Sequence, residues 1–188
     1  MKPTYIVITE AELPGLLEEQ RSELSGFDFT ELNLTDANLK STIFIDCKFT
    51  NCNLSNVSLQ NVVLRTVFFE GCNLMGINWA DARKGGEFNF SGCKLDYGCF
   101  QSMDLRGITF TDCSVREADF SGANLSKSSF SGSHLSGTSF VNVNIEKADF
   151  RGAKNYFIDP KFAKLKEAKF SFPEALVLIQ ALGAEVEM

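Results

Sequence analysis

The sequence predicts an all-β solenoid wound from five-residue repeats, and three observations carry that reading. Large apolar residues recur at every fifth position, Phe29, Leu34, Leu39, Phe44 and onward to Trp79, then again from Phe90 to Phe150 with the register displaced by one residue. A smaller residue stands two positions before most of them, as Cys52, Val57, Val62, Val67, Cys72 and Ala118 do. A period of five belongs to neither an α-helix, at 3.6, nor an alternating strand, at 2. The third observation is that residues twenty apart sort by type: Phe29, Phe49, Phe69, Phe90, Phe110, Phe130 and Phe150 form one series, and Leu34, Leu54, Leu74, Leu95, Val115 and Leu135 the next. Four five-residue sides per coil bring such residues into columns, one strand spacing apart, where like side chains pack in the same rotamer.

The columns account for the cysteines. Cys47, Cys52, Cys72, Cys93 and Cys113 occupy the small inward slot, where a thiol behaves as a compact hydrophobe. Stacked thiols lie along a line and do not surround a point, so they suit neither tetrahedral zinc nor a catalytic centre. Cys99, beside Phe100 in an outward slot, is the thiol expected to react, and the single histidine, His134, also faces outward. With no Gly-rich phosphate loop, no nucleophile placed beside a base and no metal-ligand spacing, neither catalysis nor a cofactor or metal is expected.

Between the two runs, residues 80–88 (AlaAspAlaArgLysGlyGlyGluPhe) place Lys84 and Gly85 where an inward Leu or Phe belongs. The phenylalanine column resumes beyond them, so a one-residue bulge is expected. Arg83, Lys84, Gly85 and Gly86 make it a locally basic candidate loop for a partner.

An open coil end exposes core side chains and unpaired backbone, so both ends need covers. Residues 1–26 offer an apolar stretch, TyrIleValIleThr, and a short helix around Leu13 to Arg21, with Thr9 and Glu12 at capping-box spacing and Pro14 limiting its start. Residues 156–188 offer a helix with Pro173 at its first position and Gly183 at its end. Its Leu176, Leu178, Ile179 and Leu182 cover more than one face, which predicts a dimer interface as well as a cap. The repeats are assigned to 27–155.

The recurring AlaAsnLeu or AlaAspPhe triplets, at 37–39, 118–120, 123–125 and 148–150, resemble the pentapeptide-repeat family. The resemblance implies a right-handed quadrilateral parallel β-helix. Within the family the chain is most similar to the microcin-immunity and Qnr-type topoisomerase-protection groups, through GlyIleAsnTrpAlaAsp at 76–81, AspPro at 159–160 and the closing ProGluAlaLeuValLeuIleGlnAlaLeuGly. That likeness implies a non-enzymatic protein that binds a type II topoisomerase, DNA gyrase or topoisomerase IV, by imitating duplex DNA, and dimerises through its C-terminal end. A general interaction scaffold is the alternative.

Charge bears on that choice. The formal net charge is −6 and the pI about 4.9, which argues against direct nucleic-acid binding. No signal sequence or membrane span is legible, so a cytoplasmic location is expected. The phenylalanine wall carries Asp28, Glu31, Glu70, Asp112 and Asp149 against Lys48 and Arg151, a net of −3, and is the candidate partner-binding face. The wall holding Phe44 and the bulge has a net of +2, from Arg65, Arg83, Lys84, Arg106, Lys127 and Lys147 against Asp46, Glu87, Asp104 and Glu146. Duplex DNA presents one charge per ~1.7 Å, so a rod of about seven coils, roughly 30 Å, would need about eighteen to match it.

Overall fold

The computed structural model describes residues 5–9, 11–19 and 23–186. The elements run β1 (Ile6–Ile8), α1 (Leu13–Glu19), β2 (Glu23–Ser25), β3 (Phe27–Thr30), β4 (Ile43–Ile45), β5 (Lys48–Thr50), β6 (Val63–Arg65), β7 (Val67–Glu70), β8 (Phe88–Ser91), β9 (Phe110–Thr111) and α2 (Leu176–Ala181). Strands β1-β3-β5-β7-β8-β9 form one parallel sheet and β2-β4-β6 another. The other walls are joined by single parallel bridges between residues one coil apart, such as Asn33 with Asn53 and Asn73 with Lys94. The chain is the expected parallel β-solenoid, its successive coils joined by parallel pairing.

Its core is the predicted set of columns. Phe29, Phe49, Phe69, Phe90, Phe110, Phe130 and Phe150 are all buried. Neighbouring rings stack at 4.7 Å between Phe29 and Phe49, 5.2 Å between Phe90 and Phe110 and 4.7 Å between Phe110 and Phe130. Rings of adjacent walls meet edge to face, as Phe110 and Phe120 do at 5.6 Å and 87°. Each ring therefore stacks along the axis and meets a ring edge across it, the two arrangements that suit the aromatic quadrupole. The column outruns the expected limits of 27 and 155. Ile8 pairs with Phe29 at one end, and Phe170 stacks on Phe150 at 5.4 Å at the other, where Asp149 bridges to Lys169.

The corners show why the repeat takes the residues it does. Several of the Asn and Asp residues that precede an inward residue turn the side chain onto the backbone two positions ahead: Asn53 Oδ1 accepts from Ser55 N at 3.2 Å, Asp119 Oδ1 from Ser121 N at 2.8 Å and Asn144 Oδ1 from Glu146 N at 3.0 Å. This side-chain turn satisfies an amide that the wall-to-wall bend leaves over. Two residues after the inward side chain the backbone enters the left-handed region, at Asn51, Gly71, Gly92, Gly132 and Gly152 on one corner and at Asn56 and Gly76 on the next. Glycine and asparagine bear that conformation easily; Thr66, at φ 55, is the β-branched exception.

The interruption keeps the register, and its missing inward side chain is replaced from an unexpected place. Phe88 sits in the column of small inward residues, pairing with Val67, and is 3 % exposed. Its ring stacks on Trp79 at 5.5 Å and meets Phe90 edge-on at 5.6 Å. A bulky ring in a slot that takes Cys47 and Ala148 elsewhere fills the volume that Lys84 and Gly85 leave empty.

At the N-terminal end Thr9 and Glu12 form the predicted capping contact. Thr9 N and Oγ1 donate to Glu12 Oε2 at 2.9 and 2.6 Å, which holds the Glu12 carboxyl below its ordinary range. Helix α1 ends at Glu19; Arg21, the expected last residue, lies outside the described residues. At the other end Pro173 does not open the helix. It stands in a preceding turn whose carbonyl accepts from Leu176 N at 3.0 Å, because the chain must first leave the last coil at Phe170 before it can bend across the end. Helix α2 closes as expected: Gly183, at φ 88, donates to Gln180 O at 2.9 Å and Ala184 N to Ile179 O at 3.4 Å. Val177 and Leu178 pack against the core, whereas Ile179 and Leu182 are exposed.

Candidate partner-binding surfaces

Strands β1, β3, β5, β7, β8 and β9 build the phenylalanine wall, and all five acidic residues predicted for a partner lie on it. Asp28 and Asp149 stand one residue before the inward phenylalanine, Glu70 one after, and Glu31 and Asp112 at the corner, with φ of 57° and 52°. They share a wall but not a site, since Asp28 and Asp149 are six coils apart, ~29 Å at one strand spacing per coil.

Pairing removes two of the five as free charges. Lys48 Nζ lies 2.7 Å from Glu70, and the hydrogen bond between them raises the lysine above its ordinary range. Arg151 grips Asp149 with two nitrogens, at 2.9 and 2.6 Å, and holds that carboxyl low. Asp28 accepts from the hydroxyls of Thr30 at 3.1 Å and Thr50 at 3.5 Å. Of the five, Asp28, Glu31 and Asp112 make no ion pair among the described residues. The wall also gains Lys169 from the coil beyond residue 155, which brings its net charge from −3 to −2.

Two features of the walls were missed in the sequence. Phe68 points outward beside Phe69 and is 41 % exposed. It floors a groove of about 630 Å³ with Tyr5, Lys48, Glu70, Asn89 and Thr111 around it. The five-residue beat contains the signal, for in the doubled phenylalanine only Phe69 falls on the inward position. On the next wall Asp96 is buried, its side chain 3 % exposed, and takes Arg116 at 2.7 and 3.1 Å, Arg116 N at 2.9 Å and Ser114 Oγ at 2.6 Å. Burial pushes this carboxyl up, but the hydrogen bonds from Arg116 and Ser114 outweigh it and hold it low. The pair spans one coil and staples two turns of the solenoid.

The thiols sit as predicted in the inward column. Cys52 Sγ donates to Phe29 O at 3.1 Å and Cys72 Sγ to Phe49 O at 3.3 Å, while burial pushes the Cys47 thiol up. The hydrogen bond with Cys113, together with burial, lifts Cys93 to about 12. Cys99 alone of the six is partly exposed. Among the described residues no group of His, Cys, Asp and Glu is arranged to hold a metal ion, and no helix is long and apolar enough to cross a membrane.

A family profile described as "Pentapeptide repeat region" matches residues 22–84 and 86–158, broken only at the bulge. The chain belongs to the pentapeptide-repeat family. Among solved structures it is similar to trypsin-treated QnrB1, a plasmid-mediated fluoroquinolone resistance protein, at 21 % identity over 88 % of this chain and 90 % of that one, with TM-scores of 0.50 and 0.51 for two variants. HetL, a pentapeptide repeat protein involved in heterocyst differentiation regulation from the cyanobacterium Nostoc sp. strain PCC 7120, is 16 % identical over 86 % of this chain and 94 % of its own, with a TM-score of 0.35. Comparison with curated proteins gives no match. At these identities the likeness to solved structures concerns the fold.

Proposed function

We propose that this pentapeptide-repeat protein is a non-enzymatic, cytoplasmic binding protein that engages a type II topoisomerase, DNA gyrase or topoisomerase IV, through the wall of β1, β3, β5, β7, β8 and β9, and protects it from a poison or toxin. The observation that carries the reading is the acid-bearing wall itself, paired in parallel from β1 to β9. Asp28, Glu31 and Asp112 keep unpaired carboxylates on a rigid rod, and Phe68 supplies an apolar anchor among them. The imitation of DNA rests on shape more than on charge, because the wall holds far fewer charges than the about eighteen that a duplex of this length presents.

Ile179 and Leu182 of α2, 46 % and 57 % exposed, form the face through which two copies join, and the joint would lengthen the rod. Sedimentation of the wild type and of Ile179→Asp/Leu182→Asp tests this part; a wild-type monomer at micromolar concentration removes it.

For the topoisomerase, the measurement is gyrase supercoiling and quinolone-induced cleavage with and without the purified protein. Asp112→Lys is the sharper variant, because Glu70→Lys also breaks the pair with Lys48. Protection that Asp112→Lys weakens supports the reading; no effect of the wild type at micromolar concentration ends it. The neutralised pairs at Glu70 and Asp149 favour the second reading, a scaffold for another protein partner, which a pull-down recovering no topoisomerase would support.

A further inference from the structure

The bulge is tied to its wall at both ends. Arg83 N donates to Val62 O at 2.8 Å and Glu87 N to Leu64 O at 3.0 Å, so residues 83 and 87 are anchored to the wall of β2, β4 and β6, and residues 84–86 span the distance between two acceptors that stand two residues apart. Three residues without side chains, Gly85, Gly86 and Gly107, let that wall dip into a trough of about 500 Å³, bordered by Asp104, Arg106 and Lys127.

Two independent features make the trough a place for an anion. The first is charge. Arg106 and Lys127 line the trough, with Arg65, Arg83 and Lys84 exposed on the same wall; Arg65, Arg83, Lys84 and Lys127 make no ion pair among the described residues, and Arg106 spends only Nε and one terminal nitrogen on Asp104, at 2.8 and 2.7 Å. Against these five cations stand Asp46, Glu87 and Asp104, a local net of +2 on a chain of −6. The second is the floor. The N–H groups of Lys84, Gly85 and Gly86 donate no hydrogen bond among the described residues, and Gly85 has φ 86. Successive free amides around a left-handed residue form the concavity that holds anionic oxygens.

We propose that this trough docks a short carboxylate-bearing segment of a protein partner, its acidic side chains held by the amides of residues 84–86 and by Lys127, Arg83 and the free nitrogen of Arg106. The occupant is a peptide rather than a duplex or a membrane because the positive ground is local. The adjoining wall carries Asp28, Glu31 and Asp112, and an extended polyanion lying across the trough would meet them too. The site sits on a different wall from the proposed topoisomerase face, and neither reading depends on the other.

The test uses the full chain and a fluorescein-labelled hexaglutamate peptide, followed by anisotropy at about 50 mM salt and by amide chemical shifts. Saturable binding is expected, with the amides of residues 84–86 among those that move. Arg83→Glu/Lys127→Glu weakens it about tenfold, and Lys94→Glu on another wall changes it less than about twofold. No saturation by millimolar peptide overturns the proposal, as does equal loss in Lys94→Glu. Tighter binding of a 12-base-pair duplex at the same amides would make it a nucleic-acid site instead, and would overturn it as well.

Discussion

Replacing Phe88 by alanine tests whether the ring compensates for the interruption. Burying a phenylalanine withdraws roughly 150 to 250 Å² from water, worth roughly 4 to 6 kcal/mol at about 25 cal/mol per Å². Alanine keeps part of that burial, which leaves the loss within the about 3 to 5 kcal/mol typical of such truncations in cores. The upper part of that range is expected here, because the rings of Trp79 and Phe90 are already fixed by their own stacks and the bulge is tied to Val62 and Leu64, so little can collapse into the hole. Guanidinium unfolding followed by Trp79, the single tryptophan, reads the loss as a lower midpoint. A second substitution decides the mechanism. A methyl on Gly86 would stand 3.1 Å from the Phe88 ring and 3.0 Å from Leu64 O, so Gly86→Ala alone is destabilising by about 1 to 3 kcal/mol through crowding. In the Phe88→Ala background the same methyl enters the vacated space, and the double variant is more stable than the sum of the two losses implies. A loss below about 1 kcal/mol for Phe88→Ala, or strict additivity in the cycle, would refute the idea that Phe88 fills the space left by the bulge.

Four further outcomes are expected. Asp96→Ala costs about 2 kcal/mol, since it strands Arg116 and Ser114 beside a buried gap. Because the Asp96 carboxyl is held below its unfolded-state value, its contribution is complete above about pH 4 and fades as pH falls through the lower, folded value; Asp96→Asn flattens that part of the pH–stability curve. Thr66→Gly is stabilising by about 1 kcal/mol, opposite to the usual effect of glycine, because it relieves a β-branched residue at φ 55; a lower melting temperature would contradict it. Ellman's reagent finds one prompt thiol, Cys99, in the native protein and all six in denaturant, whereas two or more prompt thiols would show that the inward column opens.

The five-residue beat made the fold legible because each inward position is dictated by burial alone. Phe110 and Phe130 stack at 4.7 Å for the same reason that they recur in the sequence: the same slot, one coil on, has the same shape. The ends were less legible. Ile8 and Phe170 extend the column, yet Ile8 stands 21 residues before Phe29 with helix α1 in the intervening coil, and Phe170 follows a coil in which Asn155, on the inward beat, is exposed and Tyr156 is buried in its stead. The bulge was located but its remedy was not. Phe88 reads as an ordinary apolar residue until the slot it occupies is known to hold Cys47 and Ala148 elsewhere.

Outward positions obey a different logic, and the candidate site was correspondingly harder to read. Their identity is free of packing, so a count of charges per wall treats each as independent. In the folded rod an outward side chain has neighbours on the same wall two residues away and one coil away. Asp149 meets Arg151 along its own strand, Lys48 reaches Glu70 on the next coil, and Arg116 reaches Asp96 on the coil below. A wall's charge toward a partner is therefore what remains after pairing at separations of 2 and of about 20. By that rule the phenylalanine wall keeps Asp28, Glu31 and Asp112, and the opposite sign gathers where pairing is interrupted, at Arg83, Lys84 and Lys127 around the glycines. The irregular coil at 80–88 departs from the backbone hydrogen bonding of the repeat, and there amides without an acceptor among the described residues stand close to unpaired cations.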